Sequence, residues 1–193
     1  MQTSKIQGQK LRPILFTTDM VRAILDGRKT QTRRIKSTCE VGDVLWVRET
    51  WRVAEVLGKT TDENFHISVK FKDGKTGYVK FTPDRYNKFR KFIEKPRQWF
   101  SSIYMPREAC RLYLQVEAVR EERVQSITLK DIEQEGLYCD PEYTDPKGIS
   151  RHAYPMGMRI HFSKLWDSIN AKRGYGWDSN PIVKVIEFRR VKI

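Results

Sequence analysis

The run Gly27-Arg28-Lys29-Thr30-Gln31-Thr32-Arg33-Arg34 sets a lysine, a threonine hydroxyl and two arginines within six positions of one another. A lysine held neutral is a base, and a depressed lysine beside a hydroxyl can do chemistry. Neutrality is the demanding condition, because an ordinary lysine pKa of about 10.4 must fall by several units at ~1.4 kcal/mol each. Five cations between Arg28 and Lys36, with no acid among them, raise the local potential and favour the neutral form of Lys29. The same composition also suits a phosphate-binding turn or a plain solvated one.

Two further segments carry chemistry. Glu133 and Glu135 lie on the margins of an apolar helical face made by Leu129, Ile132 and Gly136, where a carboxylate is half desolvated, and periodicity does not choose between them. Arg85 to Trp99 holds six basic residues, Lys88, Arg90 and Lys91 among them, against Glu94 alone, with Tyr86, Phe89, Phe92 and Trp99 interleaved. That mixture grips a phosphate backbone and stacks bases, yet Phe89, Phe92 and Ile93 also fall at helical spacing and suit a core face equally well.

These residues need elements to position them. Ile14 to Thr17 reads as a first strand and Asp19 to Asp26 as a helix opened by an Asp19 N-cap and closed at Gly27, which leaves the basic run on an exposed connection between helix and sheet. Val44 to Val47 reads as a buried strand behind Gly42-Asp43, and Phe65 to Phe81 alternates around Asp73-Gly74 as a β-hairpin. Arg111 to Val119 alternates as a strand that feeds a helix over Ser126 to Leu137, closed by Gly136. Tyr138 to Met158, rich in proline and glycine, is expected to be a loop able to cover a site. Phe162, Leu165, Trp166 and Ile169 make a packing stripe at helical spacing, and Ile182 to Phe188 a last strand. In an extended strand, side chains three apart point to opposite faces, so Lys29 and Thr32 meet only if their connection turns.

The basic run reads G-x-K-x-x-T-x-R and resembles the G-x-K-x-x-E-x-R signature of the ASCH domain, a member of the PUA-like superfamily. Arg12-Pro13-Ile14-Leu15-Phe16, Gly42-Asp43-Val44-Leu45-Trp46-Val47-Arg48-Glu49-Thr50-Trp51, Met105-Pro106-Arg107, Leu165-Trp166-Asp167-Ser168-Ile169-Asn170 and Ile186-Glu187-Phe188 extend the resemblance in the same order. It covers most of the chain, with a poor match from Val56 to Lys95. It implies an α+β fold, a PUA-like β-barrel with flanking helices in a single domain over 1–193, with an inserted hairpin and basic segment at 56–100 and a flexible loop at 138–158, and it suggests a phage or prophage member.

Thr32 stands where the family frequently has glutamate, which looks like the small bacterial members that hydrolyse acylated pyrimidine nucleosides. The resemblance then implies a metal-independent amidohydrolase of N4-acylated cytidine-like nucleosides with Lys29, Thr32 and Glu135 as its catalytic set, and it is the resemblance that selects Glu135. In our assignment of roles, Thr32 attacks after giving its proton to Lys29, and Glu135 holds the lysine or relays protons. PUA-like folds also recognise RNA. On that reading Arg28, Lys29, Arg33 and Arg34 grip phosphates, Trp46, Arg48 or Trp51 line a groove for an unstacked base, and Lys88, Arg90 and Lys91 extend the basic surface. A nuclease is a further alternative.

Composition bounds the choice. The 193 residues carry 37 Lys and Arg against 24 Asp and Glu, a net charge of +13 and a pI near 9.7, which favours RNA, DNA or a modified nucleoside as partner. Three cysteines, Cys39, Cys110 and Cys139, have no C-x-x-C spacing and point to free thiols in a reducing cytoplasm, which the resemblance implies to be that of a bacterial or phage-infected cell. No run of ~20 apolar residues suits a membrane span. His66, His152 and His161 lack ligand spacing and no phosphate-binding glycine loop is present, so neither a metal nor a cofactor is expected.

Overall fold

A computed structural model describes residues 10–59, 63–137 and 154–193. The architecture is α+β, and the described residues form eight strands in two sheets: β1 (Leu11–Leu15), β2 (Gln31–Arg34), β3 (Val44–Arg48), β7 (Tyr113–Arg123) and β8 (Ile182–Val191) in the order β1-β3-β7-β8-β2, and β4 (Trp51–Lys59), β5 (Phe65–Phe71) and β6 (Thr76–Phe81) in chain order. The described residues also form four α-helices, α1 (Thr18–Leu25), α2 (Pro83–Ile93), α3 (Leu129–Gln134) and α4 (Tyr154–Asn170). Where one domain is expected, contacts group the chain into two compact units, Met1–Arg22, Val44–Gln115 and Arg190–Ile193 in the first, and Ala23–Asp43 with Val116–Arg189 in the second.

In the first unit, β1 runs parallel to β3 with Leu11 opposite Val44, and β3 is antiparallel to the start of β7. The expected hairpin is present, but its sheet gains a third strand. β4 pairs with β5 from Trp51↔Phe71 onward, so the sheet itself begins at Trp51, before the expected insertion at 56–100. Alternation sends Trp51, Val53, Ile67, Val69, Phe71, Val79 and Phe81 to one face, where Phe92, Ile93 and Phe100 close a buried cluster. Gly74, at φ 91°, lets the β5–β6 turn close, and Arg111 ties that turn down by bridging Glu49 (2.6 Å) and Asp73 (2.7 Å).

Helix α2 opens at Thr82, whose hydroxyl accepts from Arg85 N, with Pro83 in its first turn. Its aromatic residues turn inward: the Phe92 ring lies 5.9 Å from Trp51 and 4.9 Å from Phe100, and Phe89 stacks 5.4 Å from Phe81. Phe89 and Phe92 are thus packing residues, and the cations of α2 hold its outer side.

In the second unit, β2 pairs antiparallel with β8, placing Thr32 opposite Ile186 and Arg33 opposite Val185. Helix α3 is shorter than expected because Thr128 and Asp131 form a capping box, which starts it at Leu129 after a separate 3-10 turn at Val124–Ser126. Met158, Phe162 and Trp166 bury one stripe of α4 against Val124, Ile127, Ile132, Val183 and Val185. Ile169, expected in that stripe, is 46% exposed, and Asn170 takes the buried position, because the i, i+4 row leads from Trp166 to Asn170. Most of the loop expected at 138–158 lies outside the described residues, and its end is the first turn of α4. Helix α1 starts at Thr18, with Thr17 Oγ1 accepting from Met20 N, in place of the expected Asp19 cap. Among the described residues no helix is long and apolar enough to cross a membrane.

Candidate functional site

The basic run is not an exposed connection. Lys29, Thr32 and Arg33 are buried, because residues 31–34 form a strand inside the second unit and carboxylates from later in the chain meet its cations. Lys29 sits in an isolated antiparallel bridge with Glu135, just before β2. Its Nζ donates to Glu135 Oε2 (2.7 Å) and to the Glu135 carbonyl (2.8 Å). Arg33 NH1 donates to the other carboxylate oxygen, Oε1, at 3.2 Å, so both oxygens of Glu135 are held by cations, from residues four positions apart. Glu133, the alternative that periodicity left open, is exposed.

Extended backbone explains which side chains meet. Lys29, Gln31 and Arg33 follow a period of two and face α3: Gln31 Nε2 donates to Asp131 Oδ1 (3.0 Å), and Arg33 reaches Glu122 (2.5 Å) and Asp131 (3.4 Å) as well as Glu135. Thr32 therefore points to the other face with Ile186, where its Oγ1 accepts from Arg34 NH1 at 2.6 Å. The structure brings Lys29 and Glu135 together and sets Thr32 on the opposite side of the strand. The connection does not make the turn that a Lys29–Thr32 encounter needs.

Around this pair lies an ionic network that the sequence reading missed. Arg120 joins it through Asp131 (2.9 Å), Glu122 (3.3 Å) and Glu187, so Lys29, Arg33 and Arg120 meet Glu122, Asp131, Glu135 and Glu187. The only local signal was parity: Arg120 and Glu122 continue the even face of β7 that Leu114 and Val116 begin. Gln31 Oε1 is buried with no hydrogen-bond partner among the described residues. Burial pushes the Lys29 ammonium below its usual range against the upward pull of Glu135, and Arg34 and Arg33 add smaller downward contributions. The neighbouring cations are thus the lesser cause and burial the greater. Burial also pushes the Asp131 carboxyl up, but hydrogen bonds from the Thr128 hydroxyl and N–H and from Gln31, with Arg33 nearby, hold it at about 2. Its stabilising contribution is present above the ordinary aspartate pKa near 4 and fades as pH falls toward 2.

The remaining expected site residues fall elsewhere. Arg28 is exposed and bonds Asp26 (3.0 Å) and the Gly136 carbonyl (3.1 Å). In the first unit, Arg48 lies over the Trp46 ring at 5.3 Å. Trp51, expected to line a groove, is instead a core residue at 1% exposure, because it begins β4 with its ring on the buried face. Lys88, Arg90 and Lys91 are exposed on α2; Arg90 pairs with Glu94 (2.5 Å), and Arg85 with Glu108 (2.6 Å). Among the described residues no group of His, Cys, Asp and Glu is arranged to hold a metal ion.

No protein-family model matches the sequence, and no curated protein does. Among solved structures, the fold is similar to an ASCH domain from Lactobacillus crispatus JV V101, at 10% sequence identity and a TM-score of 0.39, over 94% of this chain and 79% of that one.

Proposed function

We propose that this protein binds nucleic acid of the RNA type, as an ASCH/PUA-like module whose grip on phosphates lies on its exposed basic surface. The observation that carries this reading is where the charge is spent. The network sets three cations against four carboxylates, a formal charge of −1, so the side chains outside it carry the whole of the chain's +13 excess and one charge more. Lys29 and Arg33, with side chains 0% and 1% exposed, are committed to carboxylates and do not serve as phosphate ligands. Lys88 and Lys91 do, with Arg90 shared between a phosphate and Glu94. Neutralising Lys88, Arg90 and Lys91 to glutamine together is expected to weaken oligonucleotide binding at least tenfold at low salt and to flatten the log affinity against log salt slope by about 2. Unchanged affinity and slope would count against this surface.

One observation favours a second reading, an amidohydrolase of N4-acylated cytidine-like nucleosides: a buried lysine with a depressed pKa lies 2.7 Å from a buried glutamate. In it Lys29 and Glu135 exchange protons with substrate, and Thr32 needs a backbone turn to join them. Chromatographic detection of cytidine from N4-acetylcytidine, abolished by Lys29→Ala, is the expected result; no cytidine from the wild type removes this reading for that substrate.

A further inference from the structure

The sequence set Trp99 among the aromatic residues of a basic run, and the structure places it on the outer face of the three-stranded sheet. Trp51↔Phe100 is an antiparallel bridge, with Trp51 N donating to Phe100 O (3.2 Å) and Phe100 N to Trp51 O (2.8 Å). Since Phe100 joins Trp51 in the core, alternation turns Trp99 to the opposite, outer face, where it is 37% exposed. There Lys72 Nζ lies 4.2 Å and the Arg52 guanidinium carbon 5.3 Å from its ring centre.

The same face carries Tyr78, 76% exposed and directly opposite Ser68, with Lys70 opposite Arg52 and Lys80 opposite His66. Among the described residues this face carries four cations, Arg52, Lys70, Lys72 and Lys80, and the acid Glu55, while Asp73 is engaged by Arg111. Strand spacing separates the Arg52 and Tyr78 positions by about 12 Å. Two aromatic rings, Tyr78 largely exposed and Trp99 partly exposed with Lys72 and Arg52 beside it, thus stand among phosphate-binding side chains. A duplex keeps its bases in its own stack, whereas unpaired bases can lie on such rings.

We infer that the outer face of the β4-β5-β6 sheet, with Trp99 and Tyr78 as stacking platforms and Arg52, Lys70, Lys72 and Lys80 as phosphate contacts, binds single-stranded nucleic acid. This deepens the nucleic-acid reading above and rests on it. Fluorescence polarisation with a fluorescein-labelled 15-nucleotide oligouridylate and a labelled duplex of equal length tests it on the full chain. Tyr78→Ala and Trp99→Ala are each expected to weaken single-strand binding about tenfold while leaving duplex binding within twofold. Tyr78 is so exposed that its truncation does not threaten folding, and Tyr78→Phe is expected to retain the wild-type affinity. Single-strand affinity unchanged in both alanine variants, with the wild type still binding, overturns the platform and leaves the broader reading standing. A wild type that binds neither probe at low salt overturns both. Binding to phosphatidylserine vesicles that Tyr78→Ala abolishes, with oligouridylate binding unaffected, assigns the face to lipid and overturns the proposal.

Discussion

Replacing Glu135 by leucine is expected to lower the melting temperature by roughly 6–20 °C. The substitution leaves the Lys29 ammonium and one arm of Arg33, both in side chains no more than 1% exposed, without the carboxylate that faces them. Breaking a buried pair from one side costs about 3–5 kcal/mol, and a chain of this length loses about 2–4 °C for each kcal/mol. Two further measurements separate this from a simple loss of packing. With Glu135 gone, the upward pull on the lysine is lost, so the folded-state pKa of Lys29 drops further below its unfolded value near 10.4. A lysine with a depressed folded pKa penalises folding while it is protonated, and the penalty disappears as pH rises through the folded pKa toward the unfolded one; the deficit of Glu135→Leu should therefore shrink between pH 7 and 10. In addition, Lys29→Met combined with Glu135→Leu should recover most of the loss, since an apolar pair can fill the space of a buried ionic one. Calorimetry of the two single variants and the double variant reads all of this. A Glu135→Leu protein melting within 2 °C of wild type at pH 7 would mean that the pair holds nothing together.

How far the sequence foretold this arrangement depends on how local each signal was. Asp73-Gly74 between alternating runs is a local hairpin signal, and β5 and β6 form there. The third strand, β4, was not visible, because its Glu55–Lys59 end is wholly exposed and carries no buried face to alternate against. The basic run was misread for the opposite reason. Its period of two was legible in Lys29, Gln31 and Arg33, but polar residues in alternation look solvated unless the carboxylates that bury them are known. Those carboxylates stand far away in the chain, on β7, in α3 and just past its end, and no composition rule links them to residue 29. The parity rule, in contrast, already held the answer for Thr32: with an extended backbone it must face away from Lys29. Glu135 was selected by resemblance, where helical periodicity left Glu133 equally open.

Gly136→Ala should cost about 3 kcal/mol in all, more than any other glycine substitution in the described structure, and the reason lies beside Lys29. At φ +86° the residue occupies left-handed backbone, which costs an L-residue roughly 1–2 kcal/mol. An added Cβ would also lie 2.8 Å from the Ala23 Cβ and 2.9 Å from the Lys29 Cβ, atoms close to the backbone that cannot swing aside. Relief requires α1, or the bridge that carries Lys29 to Glu135, to shift, and overpacking of this kind adds about 1–3 kcal/mol. Gly74→Ala is the matched comparison: φ is +91°, yet nothing lies within 4 Å of the added Cβ, so it carries the backbone cost alone. Urea unfolding of the two variants should show the larger loss at Gly136, and the difference measures the contact. Ala23→Gly removes one of the two close atoms, so its cost added to that of Gly136→Ala should exceed the loss in the double variant by about 1 kcal/mol, despite the weaker helix propensity of glycine in α1. Equal losses at Gly136 and Gly74, with no coupling to Ala23, would show that the bridge tolerates displacement and that Lys29 is not held to Glu135 by the closeness of the backbone.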